Sequence, residues 1–221
     1  MVIGNSAAEG VIKFQATHRH QALDANRFGV HFRSLMGWRR LLFEVGAVGQ
    51  DPKRYDGAGY GNMSFRLTPY SAERGERRFL ITGTQTGGLE QVTLSHCCVV
   101  HRYDIRQNSV HSSGEIQPSS ESLTHGAIYD LSPAIRFVFH GHMPELWQRA
   151  KQLRLPTTRP QVAYGTQDMA LEMRRLYRDS NLSEVRCLAM AGHEDGIISF
   201  GRSAQEAGAV LVRELARAYS F

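Results

Sequence analysis

The chain has 221 residues and a mass of 24.8 kDa, which suit one domain with a full hydrophobic core. Hydrophobic residues make up 42% and charged residues 21%, a balance that excludes a disordered chain, and no apolar run approaches the roughly 20 residues of a membrane span. The net charge of +5 comes from 26 basic residues, none in a run longer than a pair, so we expect solvated charge and neither a nucleic-acid nor a membrane partner.

The first half of the chain alternates between helical and strand-like patterns. Residues 1–24 are predicted to form an N-terminal strand or extended arm, on the apolar alternation at 11–14, ahead of a single domain at 25–221. Asp24 can cap a helix that ends near Gly46. Its apolar residues recur at helical spacing: Phe28, Phe32, Leu35, Leu42 and Val45. Short β-like runs follow at 63–67, 79–82 and 97–100.

The second half repeats this alternation. We predict a helix from near Ser119 and a final helix that begins with the capping box Ser203 to Glu206. Between them, the patterns predict strands at 135–140, 185–190 and 197–200 and helices at 144–153 and 167–178. Interleaved helices and strands indicate a layered α/β domain, although spacing alone leaves open whether the sheet is parallel or mixed.

Two histidines, His140 and His142, follow the apolar residues 137–139 at the end of a predicted strand. Residues i and i+2 of a strand point to one face, so both imidazoles can reach one ion, although a His-x-His is often two unrelated histidines. His193, beside glycines between two predicted strands, is the candidate third ligand. Three histidines leave one coordination position open, as in catalytic zinc sites.

A polar segment at 118–121 begins the helix that precedes these histidines. One interpretation is structural: the serines cap the helix, and Glu121 in the first turn complements the helix dipole. The alternative is that Ser119 and Ser120 bind an anion and Glu121 is an acid/base beside the metal. Two glycine turns, at 59–64 and 82–88, are either plain turns or sites where a phosphate or carboxylate approaches the backbone.

In this order the motifs resemble the class II aldolase/adducin family over roughly residues 25–220. The resemblance rests on Gly-Asn-x-Ser at 61–64, on Pro-Ser-Ser-Glu at 118–121 with His125 and Tyr129, and on His-x-His followed by His193. It implies a three-layer α/β/α domain around a central mixed β-sheet. It also implies a small-molecule substrate and a homotetramer with sites near the subunit boundaries.

The resemblance also assigns roles to residues. The three histidines at 140, 142 and 193 would hold Zn²⁺ or another divalent metal, and Glu121 would be the catalytic acid/base. The residues that would hold a substrate phosphate are Asn62, Thr84, Thr86, Gly87, Ser119 and Ser120.

The sequence departs from the family pattern in three places. The turn at 82–88 is longer than the usual Thr-Pro-Ser/Thr-Gly, and Glu194 and Asp195 separate His193 from its glycine. No tyrosine lies between His142 and Tyr164, where the aldolases keep a catalytic one. Tyr164 and Tyr219 are the remaining candidates for that role.

We therefore predict a metal-dependent aldolase-type lyase that acts on a small hydroxy-carbonyl compound, such as a phosphorylated sugar, through a metal-stabilised enediolate. A decarboxylase or dehydratase on the same scaffold is the first alternative, and a non-catalytic adducin-like protein is the second. Three cysteines, two of them adjacent, form no disulfide framework, and the N-terminus shows no secretory signal, so the predicted location is cytoplasmic.

Overall fold

A computed structural model describes residues 10–221 of the protein. Eight strands form one sheet in the order β1-β7-β6-β5-β4-β8-β10-β9, and β2 and β3 form a separate hairpin. The strands are β1 Gln15–His20, β2 Gly49–Gln50, β3 Gly59–Tyr60, β4 Asn62–Arg66, β5 Phe79–Thr82, β6 Cys97–Asp104, β7 Ser109–Gly114, β8 Phe137–His142, β9 Cys187–Ala189 and β10 Gly196–Gly201. Strand β1 pairs parallel with β7, whereas the other pairs are antiparallel, so the predicted mixed sheet is confirmed.

Helices cover both faces of this sheet. They are α1 Gly29–Glu44, α2 Ser122–Leu131, α3 Pro144–Gln148, α4 Gln167–Asp179, α5 Leu182–Val185 and α6 Ala204–Tyr219. One apolar core joins α1, α3 and α6 to the sheet, and a second joins α2, α4 and α5 to the opposite face. Two cores on either side of one sheet make the three-layer α/β/α architecture that the resemblance implied.

Strand β8 shows how the sheet separates the two cores. Phe137 and Phe139 belong to the core under α1, α3 and α6, whereas Val138 belongs to the core under α2 and α4. Because side chains alternate along a strand, His140 and His142 share the face of Val138. The strand lies between β4 and β10, both antiparallel to it, so its register is fixed from two sides.

Several element boundaries differ from the predictions. The N-terminal strand is Gln15–His20 rather than 11–14, because its backbone pairs with β7, and residues 1–9 of the predicted arm lie outside the described residues. Helix α2 begins at Ser122 rather than near Ser119, since Glu121 is its N-cap. The capping box at the start of α6 is half formed. Ser203 Oγ accepts from Glu206 N, but the Glu206 carboxylate accepts from Arg202 N instead of Ser203 N.

All three cysteines are buried and free of disulfides. Burial raises the pKa of Cys97 to about 12 and also raises the pKa of Cys98 and Cys187. Within residues 10–221, no helix is long and apolar enough to cross a membrane.

Candidate metal centre and active site

Three buried histidines converge at the C-terminal end of β8. One ring nitrogen from each of His140, His142 and His193 lies within 4.8 Å of the others. The Nδ1 of His140 donates a hydrogen bond of 3.1 Å to the carbonyl of Ile197, so its Nε2 is the ring nitrogen that faces Glu121. Such a backbone acceptor behind a metal-binding histidine fixes the ring and its tautomer.

The turn between β9 and β10 supplies His193. Its backbone N–H donates to Met190 O and its carbonyl accepts from Gly196 N, so the turn is closed on both sides of the histidine. A Cβ at Gly196 would lie 3.1 Å from His193 O, which explains why a glycine follows so closely. The imidazole of His193 is then 5.1 Å from that of His140 and 4.7 Å from that of His142, measured between ring centroids.

Glu121 is the carboxylate of this centre. Its Oε2 lies 2.9 Å from His140 Nε2 and its Oε1 lies 3.3 Å from His193 Nδ1. Asn62, at the start of β4, donates from Nδ2 to Oε2 at 3.0 Å. Burial alone would raise the pKa of Glu121, but the imidazoles of His140 and His193 outweigh it and hold this pKa well below its usual range.

These residues fit a divalent metal. Burial, together with the neighbouring His193 and His140, lowers the pKa of His142 far below its usual value, so its imidazole is neutral and able to ligate. A carboxylate as buried as Glu121 needs a compensating positive charge. Three imidazole nitrogens and one carboxylate form the donor set that zinc and similar borderline ions prefer.

A chain of buried hydroxyls joins α2 to the sheet behind Glu121. Ser64 Oγ lies 2.7 Å from His125 Nδ1 and 2.6 Å from the Tyr129 hydroxyl. Burial lowers the pKa of His125 to about 3, so its ring is neutral. His125 and Tyr129, both part of the recognised motif, therefore hold α2 and its N-cap carboxylate in register with β4.

The structure brings most of the predicted anion-binding residues to the same place. Gly83 forms a β-bridge with Pro118, and Thr84 N donates to Gln117 O, so the turn at 82–88 lies next to Ser119. Ser119 and Ser120 are buried at the start of α2. The Ser119 hydroxyl accepts from the backbone N–H of Glu121. Phosphate binding by these residues remains a prediction.

Thr86 and Gly87 have internal contacts of their own. The Thr86 hydroxyl donates to Gly83 O, and Arg39 donates to the carbonyls of both residues. A Cβ at Gly87 would lie 2.4 Å from Tyr60 O, so close backbone packing explains this glycine without a ligand. Both residues shape the turn, and their part in anion binding remains a prediction.

Sequence reasoning missed a group of residues beside His142. The rings of Tyr55 and Tyr60 lie 4.5 Å and 5.3 Å from its imidazole. The sequence around Tyr60 predicts only a glycine turn and gives no sign of a site. Tyr55 lies in a loop whose sequence has no periodicity, so no pattern identifies it. Of the two tyrosines considered from the sequence, Tyr164 stacks on His193 at 4.5 Å, and Tyr219 is exposed at the end of α6.

Comparisons with known proteins agree with this geometry. Residues 51–219 match the family described as "Class II Aldolase and Adducin N-terminal domain". A comparison with curated proteins gives no match.

Solved structures with the same fold include L-fuculose-1-phosphate aldolase from Thermus thermophilus, with a TM-score of 0.60 and 18% identity over 86% of this chain and 91% of that one. A sugar-phosphate aldolase from Thermotoga maritima has a TM-score of 0.61 and 16% identity over 84% and 90% of the two chains. YgbL from Klebsiella pneumoniae, for which aldolase, epimerase and decarboxylase are all named, has a TM-score of 0.59 and 19% identity over 86% and 87%. At these identities the likeness shows the fold alone.

Proposed function

This chain belongs to the class II aldolase and adducin family, and we propose that it is a divalent-metal-dependent lyase of the aldolase type. The observation that carries the proposal is the buried triad of His140, His142 and His193, of which His140 and His193 contact Glu121 directly. A protein that used the fold only for binding would have no physical need for three converging imidazoles and a buried carboxylate.

The histidines and Glu121 divide the chemistry between them. The three imidazoles would hold the metal, which when bound polarises a carbonyl or hydroxyl of the substrate. Glu121 would carry the proton to and from the substrate carbon at one of its carboxylate oxygens, because it is the ionisable oxygen group that touches two of the three histidines. The Asn62 amide keeps Oε2 oriented, so Oε1 is the oxygen better placed to move the proton.

The proposed substrate is a small hydroxy-carbonyl compound, and a phosphorylated sugar is the form that the nearby turn would suit. Ser119, Ser120 and the turn at 82–88 lie beside Glu121 and would hold the phosphate. Aldol cleavage is preferred to sugar-phosphate epimerisation because the acid/base is Glu121 rather than an aspartate. The homotetramer and the cytoplasmic location are likewise proposals.

A decarboxylase or dehydratase is the second candidate. The observation that favours it is the pair of carboxylates after His193, with Asp195 held by Tyr55 on the His142 side of the centre. A screen of hydroxy-carbonyl substrates, each with and without phosphate, separates the candidates by product. Cleavage into two carbonyl compounds without CO₂ supports the aldolase, whereas release of CO₂, or a single product lighter by one water, supports the alternative.

Metal analysis tests the basis of both candidates. We expect one equivalent of divalent metal, with zinc preferred, to co-purify with the protein, and His193→Ala to abolish it. His111→Ala is the matched control, because this histidine lies on β7, which three strands separate from β8. Full stoichiometric metal in His193→Ala would show that the third-ligand assignment is wrong.

A further inference from the structure

A cationic side chain lies beside the metal centre and has no role in the mechanism above. Arg54 belongs to a group that we term the Arg54 cluster: Arg54, Tyr55, Tyr60 and Asp195. The guanidinium of Arg54 donates to the hydroxyl of Tyr55 at 2.6 Å and to that of Tyr60 at 3.2 Å. Its central carbon also lies 4.9 Å and 4.8 Å from the centroids of these two rings. The cation is therefore held in place by two aromatic residues that both contact His142.

Both turns that contribute to this cluster contain residues with a positive φ angle. Tyr55 and Asp56 have φ angles of 51° and 56°, and Asp195, on the facing turn, has a φ of 60°. Non-glycine residues rarely adopt this region, and they stay there only where surrounding contacts hold them. The contact here is the Tyr55 hydroxyl, which donates to Asp195 Oδ2 at 2.6 Å. This hydrogen bond therefore joins the two turns beside His142.

The positive charge of Arg54 is only loosely compensated. Asp195 is the one negatively charged partner in the Arg54 cluster, and its Oδ2 lies 3.5 Å from Arg54 Nη2, the longest polar contact of the cluster. A guanidinium has five N–H donors, and the three contacts of Arg54 use two of its nitrogens. About a quarter of the side chain, 26%, is exposed, so a ligand can reach it.

Arg54 lies next to the metal centre, because both tyrosine rings that hold its guanidinium pack against His142. A guanidinium within electrostatic reach of the ligands, with donors to spare, is the group that proteins use for planar anions. The nearby carboxylate of Asp195 makes a singly charged anion more acceptable here than a doubly charged phosphate.

We propose that Arg54 is a specificity-determining residue that binds a carboxylate of the substrate on the His142 side of the centre. The inference rests on the proposed function and narrows it: the substrate is a hydroxy-carbonyl acid, with or without a phosphate, rather than a sugar that lacks a carboxylate. The carboxylate would take the guanidinium donors that Tyr55 and Tyr60 leave available, while the predicted phosphate residues lie elsewhere, beside Glu121.

Two small acids test this on the zinc-loaded protein. Tartronate and lactate both offer a hydroxyl and a carboxylate to a metal, but only tartronate carries a second carboxylate that can reach Arg54. By titration calorimetry we expect tartronate to bind at least about tenfold more tightly than lactate. Arg54→Met should weaken the binding of tartronate by about 10- to 100-fold, the range expected for the loss of hydrogen bonds between charged groups. The same substitution should weaken the binding of lactate by less than about threefold.

Two further variants control for folding. Arg136→Met removes another arginine that lies over a tyrosine ring, that of Tyr70, and it should leave both affinities unchanged. Arg54→Lys keeps the charge but loses the planar fork, so an intermediate loss for tartronate is expected. Thermal melts and the zinc content before and after each titration show that every sample is folded and loaded.

The outcomes separate this inference from the proposed function. Suppose that Arg54→Met still holds one equivalent of zinc. If it then loses affinity for tartronate and lactate equally, or for neither, the carboxylate site is overturned. An equally large loss of inorganic phosphate binding would show a general anion site and also overturn it. A protein that binds no divalent metal at all overturns the proposed function instead.

Discussion

The two faces of strand β8 differ in what they bury. Towards α1, α3 and α6 the strand presents Phe137 and Phe139, which pack in an apolar core. Towards α2 and α4 it presents Val138 and then His140 and His142, whose neighbours are a carboxylate, an amide and further imidazoles. One strand of six residues thus contributes an apolar packing face on one side and, on the other, the side of the candidate site, which we term the chemical face. A slip of one residue would exchange the two faces, which is why pairing on both edges of β8 matters.

The largest expected effect comes from the chemical face. Glu121→Gln preserves the shape of the side chain but cannot carry a proton, so turnover should fall by about 10²- to 10⁴-fold. Metal content and melting temperature should stay close to those of the wild type. Activity on the substrate found by screening measures the effect. If turnover is unchanged and only stability falls slightly, Glu121 is a helix-capping carboxylate and not the acid/base.

A substitution on the packing face should lower the stability of the protein and leave its metal content unchanged. Phe139→Ala empties a fully buried aromatic site and should lower the free energy of unfolding by about 3–5 kcal/mol. Denaturant unfolding measures this loss. The metal bound per folded molecule should not change, because Phe139 points away from the histidines. A variant that loses its metal but keeps its stability would contradict the separation of the two faces.

Buried serines on opposite faces sharpen the comparison. Ser64→Ala removes the shared partner of His125 and Tyr129, and we expect a loss of about 1–3 kcal/mol in unfolding free energy. Ser199→Ala is the matched control. Its hydroxyl donates only to Ala207 O in α6, so about 1 kcal/mol is expected. Urea unfolding of both variants should rank Ser64 above Ser199, and the reverse order would argue against a polar network behind Glu121.

A smaller effect concerns a carboxylate of α4, in the layer that covers the chemical face. Hydrogen bonds from Arg175, and then from Arg159, lower the pKa of Glu172 from 4.5 to about 2 despite burial. Because the folded-state pKa is depressed, the stabilisation is present above pH 4.5 and is lost as the pH falls towards 2.

At neutral pH, the free energy of unfolding of the wild type should exceed that of Glu172→Gln by on the order of 1 kcal/mol. The difference is small because both arginine partners are partly exposed and screened. Unfolding curves between pH 2 and 7 measure the difference. A gap that persists unchanged at pH 2 would show that the ion pairs are not its source.

Local patterns were enough to predict the centre of the sheet and to single out the three histidines that converge in the structure. Hydrophobic alternation up to His140 and His142 placed both imidazoles on one face, and β5 was predicted with its observed ends. Strand β7 was missed because its Ser-rich sequence lacks apolar alternation, and pairing with β1 and β6 decides its conformation instead. Non-local partners of this kind override local propensity.

The Arg54 cluster could not be predicted for a similar reason. Tyr55 and Asp195 are 140 positions apart in the chain, and both lie in turns with positive φ. No periodicity marks such residues, and single-sequence patterns carry no information about which turns meet. Only the folded sheet brings these two loops to the same histidine.

The burial of every cysteine has a practical consequence for spectroscopy. Thiolates, not thiols, react with maleimides and similar reagents, and burial holds all three native thiols protonated and out of reach. A single cysteine introduced at an exposed apolar position such as Val30 on α1 or Leu171 on α4 would then be the one site that takes a fluorophore or spin label. Labels on these two helices, which cover opposite faces of the sheet, would report on each layer separately without prior removal of the natural cysteines.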